Sequence, residues 1–442
     1  MTPSLSDPSA HPPGIVRRIY GNLGWLLGGK AAAGLISLLY LLIAARLLGP
    51  KQYGVLVLVN YFAMLVGGVV AFPGWHAIVR FGAKATADND HSKMIRLLRF
   101  AAAIELLGGV AAIIVAALIA PIIGPRLGWS AEAQSLALPY SFAVLATVRA
   151  TPGGFLQLIS RFDILGLHTL VTPLMRLIGT LLVWAFGWGL QGFLIAWLAA
   201  ALTECVSLWI IGIIFARRHF GDHAILGAVA DIRHENEGLL RFMATANADI
   251  MLGDLVSRMT PLIMGWILGP IAAGLYSVAH RTTIAIAQPA QILGQAAYAE
   301  LARLASSGGG LAVRRALVKC IGIALLPAVP LLLIIAVFSN QIIILVAGPA
   351  YHAAATVMVL LAVARVIALT GPPTSAALIA LGRPGLSVLV NFIAGVGLLP
   401  LLPLLTLYWG LSGAGYHAII QACVASVLLF ALLWRSAAKT EI

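Results

Sequence analysis

The fold class follows from the first apolar run of the chain, LGWLLGGKAAAGLISLLYLLIAAR, which covers residues 23–46. A helix needs about 20 mostly apolar residues to cross a bilayer, and this run is long enough to do so. Similar runs recur to the end of the chain, separated by short polar segments. We predict twelve membrane-spanning helices near residues 23–46, 54–78, 100–121, 134–157, 166–186, 190–215, 243–267, 272–296, 320–338, 352–380, 385–408 and 412–434.

The composition leads to the same conclusion. The chain is 61% hydrophobic and 10% charged, with a mean hydropathy of +1.00, whereas a soluble domain has roughly 25% charged residues. This excludes a water-soluble protein. The first run is too long for the core of a cleaved signal peptide, so we expect it to remain as a signal anchor. The sequence therefore predicts an all-α polytopic membrane protein.

The distribution of basic residues predicts the orientation. If the N-terminus is cytoplasmic, the cytoplasmic segments contain nineteen Lys and Arg residues, and the external loops contain two, Lys51 and Arg126. This bias follows the positive-inside rule. It predicts a bacterial inner-membrane protein with both termini in the cytoplasm, and it explains the net charge of +13 without a nucleic-acid partner. The three cysteines have neither disulfide nor metal-site spacing, and we expect no cofactor.

The remaining basic residues fall inside predicted spans, where each costs about 2.5–3.5 kcal/mol at mid-helix. Four acidic residues accompany them, so positive charge is in excess. We therefore predict a hydrated cavity for an anionic substrate, although Arg46, Arg149 and Arg281 also have the alternative of reaching the membrane surface. The candidate substrate contacts are Lys30, Arg149, Arg176, Arg258, Arg281 and Arg365, and the acidic residues are Glu105, Glu204, Asp249 and Asp254.

Polar residues recur at helical spacing in four of the spans. They are Asn22, Lys30 and Ser37 in the first, Thr169, Thr172, Arg176 and Thr180 in the fifth, Asn247, Asp254 and Arg258 in the seventh, and Ser277, Arg281, Gln288, Gln291 and Gln295 in the eighth. Each set lies on one helical face, and such a face is too costly to expose to lipid. We predict that the four faces line a shared cavity; the alternative is hydrogen bonding between helices.

Two carboxylates of the seventh span are candidates for coupling to H⁺ or Na⁺. Asp254 and Arg258 are four residues apart, a spacing at which side chains pair on a helix. We hypothesise that this pair opens when substrate or an ion enters. Asp249 is the second candidate, and structural hydrogen bonding is the alternative role for it.

A repeated motif divides the chain into two halves. Leu48-Gly49-Pro50 with Gly54 recurs 220 residues later as Leu268-Gly269-Pro270 with Gly274, and Gly124-Pro125 recurs 224 residues later as Gly348-Pro349. Matches in order at nearly one offset indicate two homologous six-helix bundles, inserted as parallel repeats. We predict a disordered cytoplasmic tail at 1–21, bundles at 22–215 and 242–434, a cytoplasmic linker at 216–241 and a cytoplasmic tail at 435–442.

Four segments resemble one known family, the Wzx-type polysaccharide flippases, whose superfamily also contains the multidrug and toxic-compound extrusion (MATE) transporters. The segments are LLGPKQYGVL at 47–56, LISRFDIL at 158–165, LGPIAAGLYSVA at 268–279 and LGRP at 381–384. The resemblance covers about residues 20–430. Family members often have an Asp near the end of the seventh span, where this chain has Arg258-Met-Thr-Pro261.

The resemblance implies a MATE-like fold in which two bundles enclose a cavity open to one side at a time. It implies a substrate that joins an oligosaccharide to a polyprenyl pyrophosphate, such as an O-antigen or exopolysaccharide repeat unit. The partners expected on this basis are that anionic lipid-linked sugar, membrane lipids, a coupling ion and other polysaccharide-assembly proteins. The transport mechanism would be alternating access between the two halves.

Three other functions are weighed against this one. A MATE-type small-molecule antiporter shares the fold, but its cavity should favour acidic and aromatic residues. A peptidoglycan-precursor flippase is closer, although such proteins commonly have fourteen spans. A membrane polymerase or ligase would have a large external loop, and here every predicted external loop is short. No nucleotide-binding, metal-binding or nucleophile–base motif is present, so we do not expect an enzyme.

Overall fold

The computed structural model describes residues 15–70, 74–221, 238–284, 310–381 and 383–438, and these contain helices but no strand. The α-helices are Ile15–Val70, Trp75–Ala87, His91–Arg126, Ala131–Ser135, Ala137–Tyr140, Ala150–Leu158, Phe162–His168, Val171–Phe186, Gly189–Phe220, Leu239–Leu268, 270–284, Gly310–Ala347, Ala354–Ala368, Gly371–Ala380, Pro384–Phe392, Leu401–Trp409 and Leu411–Ala438. Ser141–Thr147 and Pro349–Tyr351 are 3₁₀ helices, and Ile393–Gly397 is a π-helix.

The prediction of an all-helical polytopic membrane protein is confirmed. Seven described helices are long and apolar enough to cross a membrane, and the bent pair Gly385–Gly397 and Leu401–Trp409 makes an eighth. One of the seven, Gly28–Val70, covers most of the first and second predicted spans, which are separated by a kink at Gly49. The second span, predicted over 54–78, is described as a helix only to Val70, and a separate helix begins at Trp75. A helix lies at each of the twelve predicted positions, and the eighth is described only as far as residue 284.

Several helix boundaries differ from the predictions. The first helix begins at Ile15, inside the predicted disordered tail, and the last helix extends to Ala438. The helix of the sixth span continues to Phe220, into the predicted linker, most of which lies outside the described residues. The two-bundle division itself stays a prediction.

The fourth span is the largest departure, because we predicted one continuous helix over 134–157. It consists of Ala131–Ser135, Ala137–Tyr140, a 3₁₀ helix and Ala150–Leu158. Pro139 lacks an N–H donor, and the ring of a proline disfavours an uninterrupted helix around it. Pro152 lies in the first turn of the last segment, where the missing donor costs nothing.

Small residues let neighbouring helices approach closely. A Cβ on Gly179 would lie 2.5 Å from the Cβ of Ala196, and one on Gly212 would lie 2.5 Å from the Cβ of Pro152. This is the packing expected of helices in a membrane, where close van der Waals contact replaces the hydrophobic effect between helices. Large apolar side chains point outward instead, among them Leu107, Leu326 and Leu407, as lipid contact requires.

The four Gly-Pro segments lie close together, since Gly274 meets Pro50, Gly128 meets Pro270 and Gly348 lies near Arg46. We call this region the Gly-Pro face (Gly49–Pro50, Gly124–Pro125, Gly269–Pro270 and Gly348–Pro349). Gly49 and Gly269 both have a positive φ, of 67° and 82°. Glycine adopts such angles without strain because it has no Cβ. The positive-inside bias predicts that this face lies outside the cell, and this orientation stays a prediction.

The repeated motifs contact each other at the Gly-Pro face. A Cβ on Gly54 would overlap the carbonyl of Pro270, and a Cβ on Gly274 would lie 2.6 Å from the carbonyl oxygen of Pro50. Each glycine thus packs against the proline of the other motif, which is the reciprocal contact that a pseudo-twofold axis would produce. These contacts hold the two halves together at this face.

Candidate functional site

Arg176 lies on the buried face of the helix Val171–Phe186, together with Thr180. Its guanidinium donates hydrogen bonds to the hydroxyl of Tyr40 at 3.3 Å and to Oδ1 of Asn60 at 3.1 Å. It also lies 4.1 Å from the ring centroid of Trp197, a distance at which a cation is attracted to an aromatic face. The first, second, fifth and sixth spans therefore hold this arginine in place.

Arg281 and Arg365 belong to the second half. Arg281 is partly buried on the helix 270–284 and lies near the hydroxyl groups of Tyr61, Tyr40 and Tyr53. Arg365, from the tenth span, lies with Nη2 2.8 Å from Nε2 of His280. Uncharged partners thus surround both cations in the described structure.

We call Arg176, Arg281 and Arg365 the central arginines. Tyr40 interacts electrostatically with both Arg176 and Arg281, and His280 interacts with both Arg281 and Arg365. The three therefore form one continuous basic region that joins the two halves. Within the described residues, none of the three has a carboxylate at ion-pair distance.

Buried polar atoms around the central arginines also lack partners. In the part of the chain that the structure describes, hydrogen-bond partners are missing for Thr172 Oγ1, Arg176 Nε, Thr180 Oγ1, Trp197 Nε1 and His280 Nδ1. Leaving a buried polar group unsatisfied costs about 1–3 kcal/mol. Water or a polar ligand would satisfy these atoms, most of which are donors or hydroxyls suited to an anion.

Arg258 also connects the halves, by a hydrogen bond to a backbone carbonyl group. It extends from the seventh span and donates a hydrogen bond to the carbonyl oxygen of Met64 on the second span. It passes Gly68, where a Cβ would lie 3.4 Å from Nη1 of Arg258. Met64 is about one helical turn from Tyr61, which lies near Arg281. Arg258 therefore borders the central arginines.

Arg149 and Lys30 lie elsewhere. Arg149 forms an ion pair with Glu204 on the sixth span, within the first half. Lys30 is exposed on the first helix, next to Gly29, which packs against Gly166 and Thr169 of the fifth span. The structure therefore brings three of the six predicted cations together, places Arg258 beside them and separates the other two.

The break in the fourth span is a second polar site within the first half. Buried Glu105 accepts hydrogen bonds from the backbone N–H groups of Ala150 and Thr151, the latter at 2.7 Å. The carbonyl of Val148 accepts a hydrogen bond from Nε1 of Trp209 at 2.8 Å. Backbone groups freed by the break are thus satisfied by side chains, as a membrane requires.

The predicted polar stripes are described only in part. Thr180 and Ser277 are buried, Ser37 and Thr172 are partly buried, and Thr169 donates to the carbonyl of Gly166 at 2.6 Å. The side chains of Asn22, Asn247, Asp249 and Asp254, and the whole of Gln288, Gln291 and Gln295, lie outside the described residues. The cavity role of these residues and the Asp254–Arg258 pair stay predictions.

Sequence reasoning missed the uncharged partners of the central arginines. None of Tyr40, Asn60, Tyr61 and His280 is among the site residues predicted from the sequence. The repeat offset contained a signal, because 220 residues separate the polar pair Asn60–Tyr61 from the polar pair His280–Arg281. Tyr140 Oη donates to Asn60 Oδ1 at 3.4 Å, much as Arg365 contacts His280. Equivalent positions in the halves thus supply both sides of the site.

The side chains of this site are of the kinds that bind anions rather than metal ions. The described residues contain no group of three His, Cys, Asp or Glu side chains that would hold a metal ion. Guanidinium groups offer several donors in a fixed plane and pair well with phosphate oxygens. Tyrosine and tryptophan add hydroxyl and indole donors next to apolar ring surface.

Comparison with known sequences gives two matches. Residues 43–356 match the family described as "Polysaccharide biosynthesis protein". The chain is similar to the inner membrane protein YghQ of Escherichia coli (strain K12), with 27% identity over 291 residues that cover 66% of this chain and 82% of that protein.

Solved structures share the fold. An inward-facing multidrug resistance MATE family transporter of the MOP superfamily aligns with a TM-score of 0.74 at 16% identity, over 92% of this chain and 95% of that one. The lipid II flippase MurJ, in an inward closed conformation, aligns with 0.72 at 13% identity, over 94% and 89%. A MOP superfamily transporter from Pyrococcus furiosus, described as having a binding pocket of reverse polarity, aligns with 0.59 at 14% identity, over 97% and 96%.

Proposed function

Since this chain belongs to the polysaccharide biosynthesis protein family, we propose that it flips a polyprenyl-pyrophosphate-linked oligosaccharide across the bacterial inner membrane. The sugar would be a repeat unit of an O-antigen or an exopolysaccharide. Membership of the family and a fold shared with a MATE transporter and a lipid II flippase support a membrane transporter rather than an enzyme.

The observation that carries the proposal is the basic region between the halves. A pyrophosphate is strongly anionic, and the central arginines present cations without carboxylate partners among the described residues. The desolvation cost of buried cations is offset when an anion pairs with them. Unpartnered donors such as Arg176 Nε and His280 Nδ1 would bind phosphate oxygens, and the rings of Tyr40 and Trp197 would border the sugars.

The transport step would be alternating access, with the two halves rocking around a fixed site. In this structure the reciprocal contacts of Gly54 with Pro270 and of Gly274 with Pro50 close the Gly-Pro face. Opening that face would separate these contacts, while the central arginines stay between the halves. The lipid tail would remain in the bilayer during the step. Asp249 and Asp254 remain our candidates for coupling to H⁺ or Na⁺.

Two related functions are tested against this one. A MATE-type antiporter and a peptidoglycan-precursor flippase would have the same fold, so the fold does not distinguish them. The basic character of the site favours an anionic substrate over the cationic compounds that an acidic cavity would attract. The proposal also includes a location in the inner membrane with both termini in the cytoplasm, and a role beside other polysaccharide-assembly proteins.

The test is a flipping assay in reconstituted vesicles. A fluorescent polyprenyl-pyrophosphate oligosaccharide is followed between leaflets for the wild type, Arg176→Gln and Arg281→Gln. We expect each substitution to lower the flipping rate at least tenfold, since the site loses a cation that faces the pyrophosphate. Arg435→Gln is the matched control, because this exposed arginine near the end of the last helix is remote in sequence and has no role in the proposed site.

Parallel vesicles contain a lipid II analogue or a cationic dye. Folded wild-type protein that moves only lipid II would make the peptidoglycan precursor the substrate, and movement of the dye alone would indicate an antiporter. Rates that are equal in Arg176→Gln, Arg281→Gln and Arg435→Gln would show that the central arginines do not hold the transported anion.

A further inference from the structure

The Gly-Pro face has two seams at which the halves meet, and they differ. In the first, Arg126 of the third span lies 5.7 Å from the ring centroid of Trp266 on the seventh span. A Cβ on Gly128 would lie 2.8 Å from the ring of Pro270. This seam is therefore filled by an aromatic ring and a proline that leave little space.

The second seam lies between the end of the first span and the segment after the ninth span. Tyr351 is buried there, with its hydroxyl donating to the carbonyl of Ala45 at 3.1 Å and its ring 6.2 Å from that of Tyr53. Outside Tyr351 a groove of about 520 Å³ remains open. Its lining includes Ala45, Arg46 and Gly49 from one half and Ile344, Pro349 and Tyr351 from the other.

Arg46 is the one charged residue in the lining of this groove. It is exposed and donates to the carbonyl oxygen of Leu345, across the seam. A guanidinium has five N–H donors, so most of its donors stay available within the described structure. At the position in the other seam that the repeat offset makes equivalent, the chain has Trp266, which contributes no charge.

The groove continues into a surface that would contact lipid. Leu345 is 74% exposed, and Leu47 and Ile344 are also exposed. These side chains lie near the ends of apolar spans, where we expect headgroups to border the hydrocarbon. Lys51 is exposed about one turn beyond the groove and adds a second cation on a face that the sequence predicts to be poor in basic residues.

We propose that this groove binds the headgroup of an anionic phospholipid from the leaflet at the Gly-Pro face. The phosphate lies against Arg46, the groove floor contacts the glycerol region, and the acyl chains run along Leu345 and Leu47. Because Arg46 belongs to one half and residues 344–351 belong to the other, the bound lipid stabilises closure of this face. The proposal is independent of which substrate the protein carries.

The experiment measures lipid retention by native mass spectrometry of the full-length purified protein. Wild type, Arg46→Gln, Arg46→Lys and Arg126→Gln are mixed with phosphatidylglycerol or phosphatidylcholine in detergent. We expect wild type to retain phosphatidylglycerol at least fivefold more than phosphatidylcholine, and Arg46→Gln to lose this preference. Arg46→Lys should keep about half of the preference, because it retains the charge but not the planar donors.

Arg126→Gln is the matched control, since it removes the cation of the other seam, whose partner is Trp266. It should retain phosphatidylglycerol as wild type does. A third arm adds inorganic phosphate to wild type and should leave lipid retention unchanged. Full retention by Arg46→Gln would overturn the proposal, as would equal loss in Arg126→Gln, or displacement of the lipid by inorganic phosphate, which would indicate a site for a free anion.

Discussion

Two arginines of the first half have different surroundings in this molecule, one exposed and paired with a carboxylate, the other buried among uncharged groups. Arg149 lies within the first half and forms an ion pair with Glu204, next to the helix break that Glu105 satisfies. Arg176 is buried, with Tyr40, Asn60 and Trp197 of the same half as its described partners, and Tyr40 also interacts with Arg281 of the second half. The first arginine belongs to a polar network with internal counter-charges, and the second belongs to a region that lacks them.

From this comparison we propose which charges are structural and which are functional. A cation with a carboxylate partner contributes to a fixed arrangement, and removal of the cation leaves the less exposed carboxylate, here Glu204, without its counter-charge. A buried cation without a carboxylate costs stability and persists where a ligand or water supplies the missing interaction. We therefore expect changes in the first-half network to affect folding, and changes in the central arginines to affect anion binding.

The largest expected effect is on folding, from Glu105→Ala. The substitution leaves the N–H groups of Ala150 and Thr151 without an acceptor at the start of a helix inside the membrane. We expect a loss of about 3 kcal/mol in the free energy of unfolding, since each buried orphan group costs about 1–3 kcal/mol. Unfolding by a denaturing detergent would measure it.

Glu105→Gln is the control for this prediction, because the amide oxygen still accepts one of the two hydrogen bonds. It should lose about half as much stability as Glu105→Ala. If both variants unfolded like wild type, the polar network of the first half would not stabilise the fold. Our distinction between this network and the central arginines would then be wrong.

The contacts of Glu105 with the backbone at Ala150 and Thr151 show what sequence patterns can and cannot predict. The apolar runs predicted a helix at every span, and the 220-residue repeat predicted which Gly-Pro motifs are equivalent. Neither predicted the break before Ala150, because the groups that satisfy it come from Glu105 and Trp209 on other helices. A pattern within one helix contains no information about such partners.

The same limit applies to the candidate site. Helical spacing identified Arg176 and Arg281 as cations on polar faces, and the structure places both near Tyr40. Spacing did not distinguish them from Arg149, whose partner Glu204 lies 55 residues further along the chain. The difference between a paired and an unpaired cation depends on how helices pack, so it emerges only from three-dimensional structure.

A double-mutant cycle at Arg149 and Glu204 is the next test, with an intermediate expected effect. Arg149→Ala and Glu204→Ala should each destabilise the protein, and the double variant should lose less than their sum. We expect a coupling free energy of about 1–2 kcal/mol, within the range for residues in direct contact. Detergent unfolding of the four proteins provides the measurement.

Arg176 has no carboxylate partner among the described residues, so a matching cycle cannot be built around it. A cycle of Arg176→Ala with Glu204→Ala therefore serves as the comparison in which we expect no coupling. Those two substitutions should add within about 0.5 kcal/mol. Coupling of equal size in both cycles would mean that Arg176 shares the first-half network, and our separation of the two sites would be wrong.

The smallest expected effect is protection by inorganic pyrophosphate, and it tests anion binding without transport. At ten times its dissociation constant, a ligand that binds only the folded protein adds about 1.4 kcal/mol to stability. We expect this gain, measured as a rise in Tm, for wild type and for Arg149→Ala. Arg176→Gln should show little or no rise, because it removes a central cation while leaving the first-half network intact.

Ionic strength must be matched with chloride in this measurement, since salt screens charges at exposed positions and would change the Tm of every variant alike. If pyrophosphate still raised the Tm of Arg176→Gln but no longer raised that of Arg149→Ala, the binding site would be at Arg149. The anion would then occupy the position of the Glu204 carboxylate, and our proposal would be wrong. If only Arg176→Gln lost the rise in Tm, pyrophosphate would bind at the central arginines and supply their counter-charge. Such a result would hold even if the transported molecule proved to be a different phosphate-bearing lipid.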